Sequence, residues 1–465
     1  MASIGTGDLG SLMPSEIASI FEGRSFFLLV KGLTGTGKTL FSLELAMHQP
    51  KVLYLSTRQP VKVLNSNYSW ILDHPAHIEF FGPLVGEKDA KNAKEMLISR
   101  VETPSNDQSK PMIVIDSWEG LISLDEDQDW CGMITKLREL AFENSVNVVV
   151  VSEWDDSTYL DSIADHVLLL RDEEYNSCPM RLLSIQKLSG HQRGKKDHVF
   201  TLKNARFRSF SRFVSAPLDN LEKIELIHDK EGYYSSGIPD LDGLLGGGFR
   251  MGTFNLVEVD HDLPKSLDVL LLFHMNNFLK QERGVLLSPA TPHNECKMMV
   301  VQIAGPLILN DYLRVMEERI LVTPENRPYV ISLNDKESEF FNVFQEAYDY
   351  LEEKTNFTPV FTFIEYNPVS FRSEKYLKGL LKHMHFVNNA NIIELAVINA
   401  VSNAMASREE MMVYEMMKHQ AENHFKLSRV GDAVVFTDLK KERKNYALEL
   451  EATPSRLVVR FNEII

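Results

Sequence analysis

Short, unbroken apolar runs alternate along the chain with longer segments whose apolar residues recur at three- and four-residue steps. Runs of the first kind predict strands covered on both faces, and segments of the second predict helices laid over them. That order describes stacked βαβ units around a mainly parallel sheet. In the first half the runs are Ser25–Val30, Val52–Ser56, Met112–Ile115, Val146–Val151 and Val167–Leu170. Between the third and fourth, Trp130, Met133, Ile134, Leu137, Leu140 and Ala141 form one apolar stripe of helical period. Leu182–Lys187 and Val199–Lys203, parted by the polar stretch Ser189–Asp197, predict antiparallel additions at the sheet's edge.

After a polar stretch, Asp219–Glu231, the pattern restarts with SSGIPDLDGLLGGGFRMGTFNLVE. Pro239 suits a first helical position, and Gly246, Gly247 and Gly248 suit a helix stop and tight turn. Strands follow at Thr253–Val257, Gly284–Ser288, Val360–Ile364, Leu395–Asn399 and Ala433–Phe436. The two halves read as copies, with Glu365 in the place of Asp116 and Val430-Gly-Asp-Ala-Val echoing Ile163-Ala-Asp-His-Val. The expected division is one α/β domain over residues 1–225 and a second over 226–465, each a mainly parallel sheet flanked by helices.

Composition narrows this only slightly. A chain of 465 residues, 44% hydrophobic and 25% charged, is an ordinary globular chain with room for two or three domains. Forty-nine basic against sixty-five acidic residues give a net charge of −16, which repels phosphate backbones and counts against a dedicated nucleic-acid binder. Cys131, Cys178 and Cys296 form no C-x-x-C pair, which argues against a zinc ribbon and suits a reducing compartment. The start, MASIGTGDLGSLMPSE, lacks the basic and apolar regions of a signal peptide, and no apolar run reaches membrane-spanning length. A cytoplasmic location with no membrane partner is the expectation.

The strongest chemical signal is Gly32-Leu-Thr34-Gly35-Thr36-Gly37-Lys38-Thr39, a match to G-x-x-x-x-G-K-[ST] set between an apolar strand and a helix-forming run, Leu40–Met47. The glycines let backbone N–H groups turn inward around phosphates, and the helix start adds positive potential. Lys38 reaches the terminal phosphate oxygens, and Thr39 offers a hydroxyl to Mg²⁺. Met112–Ile115 ends in Asp116-Ser117, which places a carboxylate at the carboxyl edge of the sheet to hold the metal's shell. The expected cofactors are a nucleoside triphosphate and Mg²⁺.

At these residues the chain resembles the KaiC/RadA group of RecA-like P-loop ATPases, over nearly its whole length and in two copies. SGIPDLDGLLGGGF (Ser236–Phe249) is similar to the group's opening motif, and IVIDS (Ile113–Ser117) to its Walker B strand. SIADHVLLL with LLSIQKLSGHQRG is similar to its closing hairpin. Within the group, Pro14–Thr39 resembles the archaeal gas vesicle protein D family. The resemblance implies two tandem RecA-like domains and protomers stacked as a homo-oligomer. It also implies a lysine reaching a neighbour's γ-phosphate, at Lys187. ATP rather than GTP is implied by the resemblance alone.

The departures shape the functional expectation. Ser189 stands where the family pattern has arginine, which weakens stabilisation of the transition state from a neighbour. Thr57 and Arg58 stand where the family's water-activating glutamates are expected, and neither is a general base near neutral pH. Glu153 and Glu119 lie near the same edge as substitutes. In the second half, aligning Lys265-Ser266 with Lys38-Thr39 puts Val259, Asp262 and Pro264 where Gly32, Gly35 and Gly37 stand, so the phosphate nest is lost. The expectation is an ATP-binding regulatory protein with slow or absent hydrolysis and a degenerate second domain used for assembly or signalling to a partner protein.

Two alternatives remain at this stage. Arg206, Arg208 and Arg212 interleaved with Phe207, Phe210 and Phe213 suit either an ATP-dependent DNA-binding, recombination or transcriptional accessory, or a strand alternating core Phe with solvated Arg. A structural interaction protein without nucleotide function is the other. The Met-rich segment 405–417 reads as helix packing or as an adaptable contact surface. His383 with His385, and His419 with His424, lack the spacing of a helical zinc pair.

Overall fold

The computed structural model describes residues 12–465 apart from 74–77, 103–109, 125–128, 155–157, 211, 214–222, 261–262, 289–305, 318–328, 334–339 and 400–406. The expected Asp262, Cys296 and the start of the Met-rich segment lie outside the described residues.

The first sheet is built from β1 (Phe27–Lys31), β2 (Val52–Ser56), β3 (Ile78–Phe81), β4 (Met112–Asp116), β5 (Asn147–Val151), β6 (His166–Tyr175), β7 (Cys178–Leu188), β8 (Asp197–Thr201) and β9 (Arg208–Ser209). Their order is β3-β2-β4-β5-β1-β6-β7-β8-β9, parallel through β6 and antiparallel beyond it. Alternate residues of β1 enter different cores. Leu28 and Val30 pack with Phe41 and Tyr54, whereas Phe27 and Leu29 pack with Ile134 and Leu137. A strand covered on both faces needs apolar residues at every position, which is why these runs show no alternation.

The second sheet comprises β10 (Thr253–Val259), β11 (Val285–Ser288), β12 (Leu313–Glu317), β13 (Val330–Ser332), β14 (Val360–Tyr366), β15 (Ile392–Asn399), β16 (Asn423–Val430), β17 (Ala433–Asp438), β18 (Asn445–Ala452) and β19 (Leu457–Glu463). Its order, β13-β12-β11-β14-β15-β10-β16-β17-β18-β19, repeats that of the first with one further strand, β13, added at the edge. The chain is thus two tandem α/β domains of RecA-like architecture. Among helices, α1 (Ser15–Ile20) packs Ile17 and Ile20 under the first sheet, α2 (Lys38–Met47) follows β1, and α3 (Pro264–Leu279) follows β10. Phe213 and Ile224 pack in the second domain's core.

Register carries one expected match and corrects another. Phe27 and Ile113 both pair with Val148 in the first sheet, as Phe254 and Thr362 both pair with Glu394 in the second. Following these pairs across both sheets sets Glu365 opposite the place of Asp116. The echo between Ile163–Val167 and Val430–Val434 does not survive. Leu28 pairs with His166 where Asn255 pairs with Asn423, so the counterpart of Ala164-Asp165-His166 is Ala421-Glu422-Asn423. The Asp165 and Glu422 amides donate to the equivalent carbonyls of Phe27 and Phe254. Val430-Gly-Asp-Ala-Val is instead the turn of the β16–β17 hairpin, with Gly431 at φ +59°.

A shared apolar cluster joins the domains: Met180, Leu182, Val199 and Phe210 against Ala433, Val435, Ala447 and Ile464. Buried Asn445 donates from Nδ2 to the carbonyls of Cys178 (3.3 Å) and Pro179 (2.9 Å) across it.

Two buried histidines set a pH dependence. His274 is packed between Phe249 and Phe361, and His166 beside Phe26. Burial pushes each imidazole down to about 4. Both bind fewer protons folded than unfolded between that value and the ordinary His range near 6.5. Their contribution is therefore full above about pH 6.5 and is lost as pH falls toward 4, by about 3 kcal/mol each. Urea unfolding should show stability dropping between pH 7 and pH 5. His274→Gln, which keeps an amide donor for the Ser236 carbonyl, should flatten that drop; an unchanged slope would refute the assignment.

Candidate functional site

All parallel strands of the first sheet end at one edge, and the loops after β1, β2, β4 and β5 converge there. The β1–α2 loop needs three glycines with positive φ: Gly32 (+150°), Gly35 (+87°) and Gly37 (+96°). A methyl group on Gly32 would lie 2.4 Å from the Leu170 carbonyl oxygen, so close approach as well as backbone conformation demands glycine. Leu33, Thr34 and Gly35 form the exposed tip, and buried Thr36 donates its hydroxyl to the Leu33 carbonyl at 2.8 Å.

Lys38, the first residue of α2, is only 7% exposed. Its ammonium donates to the carbonyls of Gly32 and Leu33, both at 2.7 Å. Burial pulls its pKa below the usual lysine range, opposed by the charges of Asp116, Glu153 and Glu119. Asp116 ends β4 and accepts from Tyr54 Oη at 2.7 Å and from the Thr39 hydroxyl. Ser42, one turn along α2, shares a 2.8 Å bond with the same Tyr54 hydroxyl. Burial raises the Asp116 carboxyl above its ordinary value despite these donors and Lys38. Thr39 and Asp116 therefore present two hard oxygens beside the lysine, the donor set a small divalent cation takes.

Glu153 and Glu119 stand beside them in a tight network. Glu119 accepts from Ser152 Oγ (2.6 Å) and the Glu153 amide (2.8 Å). Glu153 accepts from Ser117 Oγ at 3.0 Å and pairs with Arg58 at 3.0 Å. Thr57 is tied to Ser117, accepting from its amide at 2.8 Å and donating to its carbonyl at 3.1 Å. Arg58 thus neutralises the nearby carboxylate from the position where the resemblance expected a base.

The structure brings Gly32, Thr36, Gly37, Lys38, Thr39, Asp116 and Glu153 to one edge. It holds Lys187 elsewhere. Lys187 lies on β7 beside Val167, and its ammonium donates to the carbonyls of Asp161 (3.2 Å) and Ala164 (2.5 Å). Three participants were not legible in the sequence: Tyr54, Ser117, and Arg181, whose guanidinium donates to the Gly35 carbonyl at 3.3 Å from near the start of β7. Only the apolar–polar break at the end of β4 hinted at Ser117. Nothing local marks Arg181.

In the second domain the matching turn runs from Val259, still buried in β10, to Pro264, the first residue of α3, with no glycine at the backbone positions described. Glu258, at the register position of Lys31, is buried against His424 and Tyr414. The basic residues interleaved with phenylalanine also resolve. Phe207, Phe210 and Phe213 are core, Arg206 pairs with Glu44, and Arg208 pairs with Glu449. Among the described residues no group of three or more His, Cys, Asp and Glu is arranged to hold a metal, and no helix is long and apolar enough to cross a membrane.

A glycine-shaped loop with a buried lysine at a helix start, facing an aspartate at the end of a parallel strand two places away in the sheet, defines a P-loop domain of the RecA-like ATPases. Within that class the chain resembles gas vesicle protein D. Residues 18–184 match the family described as GvpD gas vesicle protein, P-loop domain. Protein GvpD1 of Halobacterium salinarum is 28% identical over 340 residues, 66% of this chain and 62% of the relative. Protein GvpD2 of the same organism is 29% identical over 311 residues, 61% and 63% of the two chains. The circadian clock oscillator protein KaiC of Prochlorococcus marinus is 21% identical over 281 residues, 56% and 54% of the two chains. The matches thus span less than two thirds of these relatives' lengths.

Proposed function

We propose that this chain is an ATP-binding regulatory protein in which residues 1–225 bind Mg-ATP and residues 226–465 form a degenerate copy that carries the signal. The observation that supports it most is the Lys38 ammonium, buried among loop carbonyls at the mouth of α2 with Asp116 and Thr39 beside it. A triphosphate entering the loop competes with those carbonyls for the ammonium and takes the amides of Gly35–Thr39. Thr39 and Asp116 would hold Mg²⁺, which neutralises phosphate charge when bound. Arg181 adds a cation from the chain's own hairpin. Similarity to gas vesicle protein D supports an output connected with gas vesicles, delivered as a conformational or assembly change to a homo-oligomer or partner protein.

The reading includes slow hydrolysis. Glu153 is the carboxylate placed to orient a water, but its pairing with Arg58 and its bond from Ser117 hold it as an acceptor already engaged. Calorimetry with Mg-ATP should give saturable heat, and steady-state phosphate release should stay below about one per second. Arg58→Ala should raise that release and Arg58→Ala with Glu153→Gln should abolish the gain. Fast turnover by the wild type, or turnover indifferent to Glu153, would overturn this part. Absence of binding heat would overturn the whole reading.

A further inference from the structure

We infer that residues 202–210 form a strap that reports the state of the phosphate loop to the second domain, an inference that rests on nucleotide binding at Gly32–Thr39 as proposed above. One side of the strap follows a single face of α2. Leu202 lies over Gly37 so closely that a methyl group there would sit 2.7 Å from Leu202 Cδ1. Phe207 packs edge-on against Phe41 with centroids 4.9 Å apart, and Arg206 grips Glu44 through two bonds of 2.5 and 2.9 Å. Residues 37, 41 and 44 recur at helical spacing, so these three contacts bind the strap to the helix that begins at the phosphates.

The other side of the strap belongs to the second domain. The Leu202 amide donates to the Ile465 carbonyl at 3.1 Å, and the neighbouring Thr201 hydroxyl donates to the Glu463 carbonyl at 2.8 Å. Lys203 pairs with Glu463 at 3.7 Å, Arg208 with Glu449 at 2.6 Å, and Phe210 enters the cluster shared with Ala433, Val435, Ala447 and Ile464. Leu202 therefore touches Gly37 with its side chain and, with its backbone, Ile465, two residues past β19. A phosphate that takes the amides next to Gly37 restrains Leu202, and through it the edge strands β18 and β19. Densely packed contacts transmit such a shift because there is no slack volume to absorb it.

The test is amide hydrogen exchange on the full chain with and without saturating Mg-ATP, with calorimetry on the same samples. Wild type should show exchange in residues 445–465 slowed by about fivefold or more, the lower end of ordinary coupling between sites. Arg208→Gln, which cuts the strap from Glu449, should bind Mg-ATP within about tenfold of wild type and reduce that protection to less than about twofold. Leu202→Ala removes the isopropyl group over Gly37 and should lose the protection in the same way, so it carries the test if Arg208→Gln folds poorly. Binding heat with protection confined to the first domain would overturn the strap and leave nucleotide binding intact. So would protection undiminished in the variants. No heat from wild type would overturn the nucleotide reading first, and the strap with it.

Discussion

Lys38→Ala should lose about 100-fold or more in Mg-ATP affinity, close to 3 kcal/mol. The site faces a polyanion with three carboxylates nearby, Asp116, Glu153 and Glu119, all close enough to act on the Lys38 charge. Lys38 is the buried cation that offsets them, and a charge-assisted bond from such a group contributes about 1.5–3 kcal/mol by itself. Its loss also leaves the phosphates against carboxylates in a poorly solvated site, where repulsion is strong. Lys38→Arg should not rescue binding, because a planar fork does not fit where a point charge lies 2.7 Å from two carbonyls. Thr34→Ala, at the exposed tip, should change affinity by less than about threefold, as ordinary surface changes do. Titration of a fluorescent nucleotide reads all three variants. Wild-type affinity in Lys38→Ala would show that nucleotide binds somewhere other than this loop.

What the sequence discloses follows from how strictly a position constrains its residue. Gly32, Gly35 and Gly37 must adopt positive φ within a few residues of a strand end and a helix start, and few other structures ask for that pattern. The strands around them were readable because both of their faces are covered. β16 was not, because its buried positions include Asn423, His424 and Ser428, whose partners, such as Glu258 for His424, come from distant segments. That polar strand let the downstream Val430–Val434 turn pose as the copy of Ile163–Val167, a likeness of letters that pairing removes. Arg181 and Tyr54 were hidden for a related reason. Each is an unremarkable strand residue until the sheet order sets it beside the loop. The phenylalanines at 207, 210 and 213 illustrate the converse, where the sequence admitted two readings and burial selected one.

The interleaved arginines lead to a second large effect. Arg206→Ala should destabilise the fold by about 2–4 kcal/mol, because it strands Glu44, a carboxylate with no solvent exposure on α2. Arg206 itself is 38% exposed, so the loss lies toward the lower part of the range for breaking a buried pair. Its guanidinium also covers the Trp70 ring at 4.3 Å, and Trp70 Nε1 donates to the Ala205 carbonyl at 2.9 Å, so packing is lost with the charge. For a domain of this size the unfolding midpoint should fall by roughly 5–12 °C. Adding Glu44→Gln to Arg206→Ala should recover part of the loss by removing the buried charge, and a double mutant less destabilised than the sum of the two single mutants is the expected signature. Arg206→Lys should recover little, since an ammonium cannot make the two parallel bonds to Glu44. If thermal and urea unfolding of Arg206→Ala matched wild type, Glu44 would not be held as described. The helix at the phosphate loop would then have no charged anchor in the strap.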